Sequence, residues 1–333
     1  MARWAEPLVQ PEERLPDHRL PYHRLLSAAP RRGWWTLLGV AVLGVLFIAL
    51  QLVITLALTL WLVLGGLDVG TAFERVTGQG EVMPSFLALV NLGWAVTIPV
   101  ALGIVWVVHG VSPGWLSSVA RRLRWGWMLT CFGLSFVALV ATMVVSALVP
   151  VQESVAIDGG LNDFTRTTRD FLLVVVLLTP LQAAGEEYAF RGYLTQSFGA
   201  VLSRWPRVSV TMAVVVPAVV FALFHGVQDP PVFVDRLAFG LVAGALVVLT
   251  GGLEAGIAMH VLNNFLAFGI ALAFSDMTTA LNPTGGTWWS LPVTMTQSLV
   301  YLGVVVWWAR RRGIATSAGA GEVAVLAARR SRV

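Results

Sequence analysis

Residues 34–64 read WWTLLGVAVLGVLFIALQLVITLALTLWLVL, an uninterrupted apolar run without a charged side chain. A helix rises about 1.5 Å per residue, so about 20 apolar residues are enough to cross a hydrocarbon core about 30 Å thick. This run is longer than one crossing requires, and we expect its helix to tilt or to extend beyond the bilayer. The stretch therefore predicts a membrane-spanning helix.

The whole chain shares this apolar character. It has 333 residues, of which 57% are hydrophobic and only 12% are charged, whereas a soluble domain carries roughly a quarter charged residues. Hydropathy indicates about eight helical spans. They lie at roughly 34–64, 85–109, 125–149, 168–188, 208–225, 233–250, 254–274 and 290–309. We therefore predict an all-α fold, a polytopic transmembrane helical bundle.

The spans also divide the chain, since no repeat and no second folded domain is evident. The predicted parts are a mobile cytosolic N-terminal tail at 1–33, N-terminal transmembrane helices at 34–150, a transmembrane core at 151–275, a last transmembrane helix at 276–312 and a cytosolic tail at 313–333. The region near Met1 lacks the apolar core of a cleaved secretory signal. We expect this region to remain in the cytosol.

Arginine is concentrated in alternate loops, which indicates the orientation of the chain. The clusters are Arg31 and Arg32, then Arg121, Arg122 and Arg124, then Arg204 and Arg207, then Arg310, Arg311 and Arg312. The opposite loops carry Asp68, Glu74, Glu81, Glu153, Asp158, Asp163 and Asp276. Because cytoplasmic loops carry the excess of basic residues, both termini are predicted in the cytosol of a plasma-membrane protein. The arginines form no single soluble basic face, so nucleic acid is not a predicted partner, whereas the lipid bilayer is.

Acidic side chains interrupt the fourth predicted span, in residues 186–191, EEYAFR. A charged residue at the bilayer centre costs about 2.5–3.5 kcal/mol on insertion scales, so it needs a reason. Glu187 and Arg191 are spaced i,i+4 with the acid first, the favourable order for an ion pair, whereas Glu186 lies about 100° away around the helix. Two adjacent carboxylates disfavour joint ionisation, which suits one of them to acid/base chemistry. An ion-pair network at a helix end is an equally simple explanation of this segment alone.

Two further places put histidine into apolar spans. Residues 221–225 read FALFH, so that Phe221 and His225 share a helix face, and residues 260–264 read HVLNN, which places His260 and Asn264 on one face. A lone histidine at a helix end is often an interfacial residue, and a histidine with an amide can join two membrane helices. Each motif alone is therefore weak evidence of a site.

The three motifs in this order, EExxxR, FxxxH and HxxxN, resemble the CPBP family, which includes the CAAX prenyl endopeptidases and the bacteriocin-processing or immunity (Abi) proteins of bacteria. The resemblance covers about residues 168–275. It implies an intramembrane endopeptidase that hydrolyses a peptide bond of a membrane-embedded or membrane-associated protein or peptide. The residues that it makes catalytic are Glu186, Glu187, His225, His260 and Asn264. Members of this family are described as metalloproteases, which implies a divalent metal, zinc, held by Glu186, His225 and His260.

The chemistry of these residue types agrees with hydrolysis. Glu186 would act as a general base on a water molecule held by His225. His260 and Asn264 would coordinate a metal or donate to the developing oxyanion, and each such donor is typically worth about 2.7–4 kcal/mol. Two histidines and one glutamate would also suffice for a catalytic zinc ion with an open position. Arg191 is predicted to support the structure by pairing with Glu187.

Counting residues from the turns tests whether the side chains can meet. If residues 204–207 form a turn between antiparallel helices, Glu186 and His225 are equally far from it and lie at one depth. His260 fits less well, because it is close to the Gly251-Gly252 turn, from which His225 is separated by nearly a full span. A tilted or irregular helix, or different span limits, must account for this difference.

Other functions remain open at the level of sequence. The chain has no His-Glu-x-x-His and no Gly-x-Gly-Asp motif, and residues 133–136, GLSF, lack the second glycine of a rhomboid nucleophile loop. A secondary transporter is an alternative, although the first half of the chain lacks carboxylates within its spans. A non-catalytic immunity or scaffold protein of the same family is another. His109 and Glu254 are predicted to be interfacial or helix-packing residues, and His23 to lie in the mobile tail.

Overall fold

The computed structural model describes residues 19–79, 82–148, 160–226, 228–281 and 288–327. Residues 1–18 and 328–333 of the predicted tails, and the loop residues Glu81, Glu153 and Asp158, lie outside the described residues. Within the described ranges, eight helical segments are long and apolar enough to cross a membrane. The all-α, polytopic bundle with about eight spans is therefore confirmed.

Ten α-helices and one π-helix build these eight spans. The first four spans are α1 (Trp34–Leu64); α3 (Pro84–Ala95) with α4 (Thr97–Val107); α6 (Trp125–Ser146); and α7 (Arg166–Glu186) with a π-helix (Glu187–Leu194) and α8 (Thr195–Val201). The last four are α9 (Pro206–Leu223), α10 (Pro230–Thr250), α11 (Glu254–Phe274) and α13 (Ser290–Arg311). The shorter elements are β1 (Leu20–Pro21), a 3-10 helix (Tyr22–Ala28), α2 (Val69–Thr77), α5 (Gly114–Ser117), α12 (Met277–Leu281), β2 (Ser317–Ala318) and α14 (Ala320–Ala327).

Proline and glycine mark several ends of the spans. Pro84, Pro206 and Pro230 each occupy the first position of a helix, where the missing N–H would have no partner within the helix. Gly251 ends α10 with φ of 70°, a left-handed conformation that glycine adopts without steric cost. Apart from the fourth span, the predicted limits agree with these ends to within a few residues.

The fourth span extends well beyond its predicted end at residue 188. Its helical structure continues through the π-helix and α8 to Val201. All eight residues of the π-helix are buried, and the i→i+5 bonding of a π-helix widens the turn and changes the direction of the side chains. The sequence limits were therefore wrong here, and Glu186 lies inside a long span rather than near its end.

Helix α7 packs tightly against the second span. At Gly185, an added Cβ would collide with the backbone oxygen of Trp94, so only glycine permits this approach. Thr97 donates a hydrogen bond to the Gly185 carbonyl at 2.7 Å, and Asn91 donates one to the Thr179 hydroxyl at 3.0 Å. These contacts fix the part of α7 that leads into the two glutamates.

The two ends of the described chain pack together on one face of the bundle, which we call the termini face. Strands β1 and β2 pair in antiparallel fashion, with Leu20 opposite Ala318. Tyr22 is fully buried and donates a hydrogen bond to the Leu116 carbonyl at 2.5 Å. The prediction of a mobile N-terminal tail, which included His23, is therefore wrong for residues 20–29. This segment is folded, and the side chains of Tyr22, His23, Leu25, Leu26 and Ala29 are buried in the bundle. The predicted C-terminal tail is likewise folded through α14.

The turn before α11 is held by a partly buried ion pair. Arg124 lies 2.7 Å from the carboxylate of Glu254, which is fully buried. The backbone also joins the two segments, since Val119 N–H donates to the Gly251 carbonyl at 2.9 Å and Leu253 N–H donates to Ser117 at 3.0 Å. Glu254 is thus a packing residue at this turn, and it anchors the start of the helix that carries His260.

His109 is buried just beyond the end of α4. Its Nε2 atom lies 2.9 Å from the Tyr193 hydroxyl, and its Nδ1 atom lies 3.0 Å from the Arg31 carbonyl. It therefore joins the second span, the π-helix and the segment before α1. This is the packing role that its position in the sequence indicates.

Candidate active site

One face of α11 meets α7 and the π-helix. Gly256, His260 and Asn264 recur every four residues and so share this face. An added Cβ at Gly256 would lie 2.6 Å from Oε2 of Glu187, which is closer than carbon and oxygen can approach. The glycine therefore leaves the space that the Glu187 carboxylate occupies.

His260 lies between the two neighbouring carboxylates. Its Nδ1 atom is 3.1 Å from Oε1 of Glu187, and its Nε2 atom is 3.6 Å from Oε2 of Glu186. The same Oε1 of Glu187 is 3.2 Å from a terminal nitrogen of Arg191. All four side chains are buried, so these polar groups contact one another in place of water.

Arg191 also lies among aromatic rings. Its guanidinium carbon is 4.2 Å from the ring centroid of Phe221, 5.9 Å from that of Phe190 and 6.0 Å from that of Phe239. A cation over an aromatic face is stabilised by the ring quadrupole. The buried guanidinium is thus accommodated by one carboxylate and these rings, in agreement with a structural role for Arg191.

Gln182 belongs to the same cluster, although it is not among the site residues predicted from the sequence. Its Nε2 atom donates to Oε1 of Glu186 at 2.5 Å, and its Oε1 atom accepts from Nδ2 of Asn264 at 2.9 Å. It lies one turn before Glu186 on the same helix face. An amide at this spacing in an apolar helix was the signal available, but an amide costs less to bury than a charged group and therefore stands out less in the sequence.

His225 reaches the cluster from the end of α9. Its Nδ1 atom lies 2.8 Å from the Phe221 carbonyl. Because a carbonyl only accepts, this nitrogen must carry a proton, and in the neutral ring Nε2 is then an acceptor. The ring of Phe221 contacts both His225 and His260, with centroid distances of 4.7 and 6.0 Å. The two histidines therefore both lie next to one phenylalanine.

A single cavity of about 480 Å³ connects these groups. Its polar lining includes Gln182, Glu186, His225, His260, Asn264 and Arg236. Four of the five residues predicted as catalytic thus face one space, whereas Glu187 lies behind His260. Arg236, which is not among the site residues predicted from the sequence, donates a hydrogen bond to Gln228 at 2.7 Å.

The expected difference in depth between the histidines does not keep them apart. Helix α9 has 18 residues, whereas α10 and α11 have 21 each. His225 follows the end of this shorter helix, and the fourth span is longer than predicted, so Glu186 lies within it. Both histidines consequently line the same cavity.

The predicted zinc ligands do not form a ready metal site. Among the described residues, no three His, Cys, Asp or Glu side chains are grouped closely enough to hold a metal ion. His225 directs Nδ1 at a carbonyl, and both nitrogens of His260 lie toward carboxylates. This arrangement does not fit a three-ligand zinc site, and zinc stays a prediction.

Comparison with known proteins agrees with the motifs. The family model described as type II CAAX prenyl endopeptidase Rce1-like matches residues 168–266. "Uncharacterized protein YyaK" of Bacillus subtilis (strain 168) is 26% identical over 151 residues, which cover 42% of this chain and 49% of that protein. The chain thus spans about half the length of this relative. No solved structure matches the chain.

Proposed function

We propose that this chain, whose residues 168–266 match the family model of the type II CAAX prenyl endopeptidases, is an intramembrane endopeptidase for a membrane-embedded or membrane-associated protein or peptide. One observation carries the proposal. Within the described part of the chain, the buried Oε2 atom of Glu186 has no hydrogen-bond partner, yet Glu186 lines the cavity shared by both histidines. A buried polar atom without a partner is costly, and a water molecule bound at this oxygen would remove that cost.

In the proposed reaction, Glu186 accepts a proton from this water and His225 accepts the second hydrogen bond at Nε2. The water oxygen attacks the carbonyl carbon of the substrate. Glu186 then passes the proton to the leaving nitrogen, so that one water and one peptide bond become a carboxylic acid and an amine. Gln182 keeps Oε1 of Glu186 occupied and leaves Oε2 for the water.

The oxyanion would be stabilised on the α11 side. Asn264 uses one N–H for Gln182, which leaves a second N–H for the substrate oxygen. His260 can donate from Nε2 to the substrate oxygen when that nitrogen carries a proton. Such preorganised donors are typically worth about 2.7–4 kcal/mol each. No step requires a metal ion.

The orientation is part of the proposal. Pairing of β1 with β2 brings both ends of the described chain to the termini face, and arginine is concentrated in the loops on that side. We infer that the termini face is cytosolic and that the protein resides in the plasma membrane. Lipid then surrounds the bundle, and the substrate enters from within or beside the membrane.

The test is cleavage by the purified protein in lipid nanodiscs. Internally quenched peptides that carry an apolar membrane anchor serve as substrates. We expect cleavage by the unchanged protein and by Glu74→Gln, a control at an exposed carboxylate on α2, and none by Glu186→Gln. Zinc content by mass spectrometry and the effect of a chelator test the metal. Equal cleavage by Glu186→Gln would contradict the proposal, and folded protein with no cleavage of any peptide would favour a non-catalytic family member.

A further inference from the structure

The cavity opens away from the termini face, and this follows from the direction of each helix. Arg24 donates a hydrogen bond to the Ser203 carbonyl at 3.1 Å, so the turn before α9 lies on the termini face. Helix α9 runs from there for 18 residues, about 27 Å at 1.5 Å per residue. His225 follows its far end and is exposed.

The turn before α11 gives the same direction independently. Arg124 donates to the Ala315 carbonyl at 3.0 Å and to the Thr250 carbonyl at 3.0 Å. The start of α11 therefore lies beside the segment that leads into β2, on the termini face. Helix α10 must begin, and α11 must end, on the opposite face of the bundle, which we call the far face.

The lining of the cavity comes from the far-face parts of these helices. From Glu186 and His260 in the middle, it extends to Arg236 in the second turn of α10, Phe268 in the last two turns of α11 and Leu281 at the end of α12. Thr294 in the second turn of α13 also lines it and donates to Asp235. Polar groups therefore continue from the glutamate to the far face.

The termini face, in contrast, is closed over the site. The π-helix that follows Glu186 is buried throughout, and Tyr22, Leu25 and Leu26 of the 3-10 helix are buried in the same apolar cluster as its side chains. Gly199 of α8 lies against the backbone of His23. Water and a polar peptide can thus reach the cavity from the far face.

We propose that the site takes its substrate from the far face, so that with cytosolic termini this protein cleaves peptide segments exposed at the external surface of the plasma membrane. That the cavity receives a substrate rests on the proposed function, whereas the direction in which the cavity opens does not. An extended peptide that reaches Glu186 would pass Arg236 and Asp235, so a segment with polar or charged residues is accommodated beside the scissile bond.

The experiment uses accessibility to a membrane-impermeant thiol reagent, with single cysteines introduced into a Cys131→Ala background. Ala280→Cys reports on the cavity mouth, and Gly321→Cys, an exposed position on α14, is the matched reporter on the termini face. We expect the reagent to label Ala280→Cys in intact cells and Gly321→Cys only in inverted vesicles. Labelling of both from the same side would overturn the inference, and labelling of Ala280→Cys only in inverted vesicles would overturn the external orientation.

A second measurement separates this inference from the proposed function. If the unchanged protein cleaves peptide, reagent added outside intact cells should reduce cleavage by Ala280→Cys at least fivefold and leave Gly321→Cys unaffected. Equal cleavage by modified and unmodified Ala280→Cys would count against entry through this mouth. The labelling pattern holds or fails without any activity, so a protein that cleaves nothing still tests the geometry.

Discussion

Nδ1 of His260 lies 3.1 Å from Oε1 of Glu187, the carboxylate oxygen that also faces Arg191. This relationship explains why two glutamates occur in succession. Glu186 faces the cavity, whereas Glu187 holds the imidazole and compensates the buried guanidinium. Adjacent carboxylates on a helix point about 100° apart, so one can serve the chemistry while the other serves the residues behind it.

Arg191→Ala should destabilise the protein as well as reduce cleavage. Removing one partner of a buried ion pair typically costs about 3–5 kcal/mol, because the other charge is left without compensation. Detergent melting measures this loss. Arg169→Ala is the matched control, since its pair with Asp170 is exposed and should contribute little. Unchanged melting of Arg191→Ala with lost cleavage would instead assign Arg191 a role in catalysis rather than in packing.

His225→Ala should abolish most cleavage with little change in melting. The ring contacts Phe221 at the end of a helix and its described hydrogen bond is to a local carbonyl, so little packing is lost. Removal of a group that positions or accepts protons typically costs about 10²–10⁴ in rate. A parallel loss of folded protein would indicate that the histidine is there for packing.

Gly256→Ala should reduce cleavage on the order of tenfold to a hundredfold, since displacing a catalytic group by about 1 Å can cost this much. The added methyl group would press on the Glu187 carboxylate and shift His260. Gly269→Ala on the same helix is the control, because an added Cβ there has no atom within 4 Å. The proposed role of the Glu187–His260 contact fails if the two variants cleave equally well.

Gln182→Met should lower kcat on the order of tenfold to a hundredfold and leave KM nearly unchanged, because Glu186 and Asn264 lose their common partner. Its effect should be smaller in an Asn264→Ala background, since contacting residues are not additive. Gln196→Met, in the same span but bonded to the Trp115 carbonyl, controls for loss of a buried amide. Additive effects of Gln182 and Asn264 would show that they act separately.

Acid should weaken the packing of the termini face. Burial and the neighbouring Arg24 lower the pKa of His23 from 6.5 to about 4, and burial lowers the pKa of His109. As the pH falls, the histidines therefore become protonated at a higher pH in the unfolded chain than in the folded chain. The contribution of the neutral histidines to the free energy of unfolding is complete above about pH 6.5 and is lost as the pH falls toward 4. Melting of the unchanged protein between pH 7.5 and 4.5 should fall more than that of His23→Gln. Parallel curves would contradict the assignment to His23.

The sequence was sufficient to predict the features that carry a large free-energy cost. Apolar runs such as residues 34–64 can be stable only in lipid, and Glu186, Glu187 and the histidines stand out because charge is expensive there. Gln182 carries no charge, so its role became evident only from its two hydrogen bonds. The π-helix and the burial of residues 20–29 depend on contacts between distant segments, which neither periodicity nor hydropathy encodes.

Pairing of residues 20–21 with 317–318 also imposes an order on assembly. The first strand leaves the ribosome long before its partner, which appears only after the last membrane helix has been made. Until then the apolar side chains of the 3-10 helix lack part of their final surroundings. Closure of the termini face is consequently a late event in biosynthesis, and a truncated chain that lacks β2 would present this unfinished surface to the proteases that remove incomplete membrane proteins.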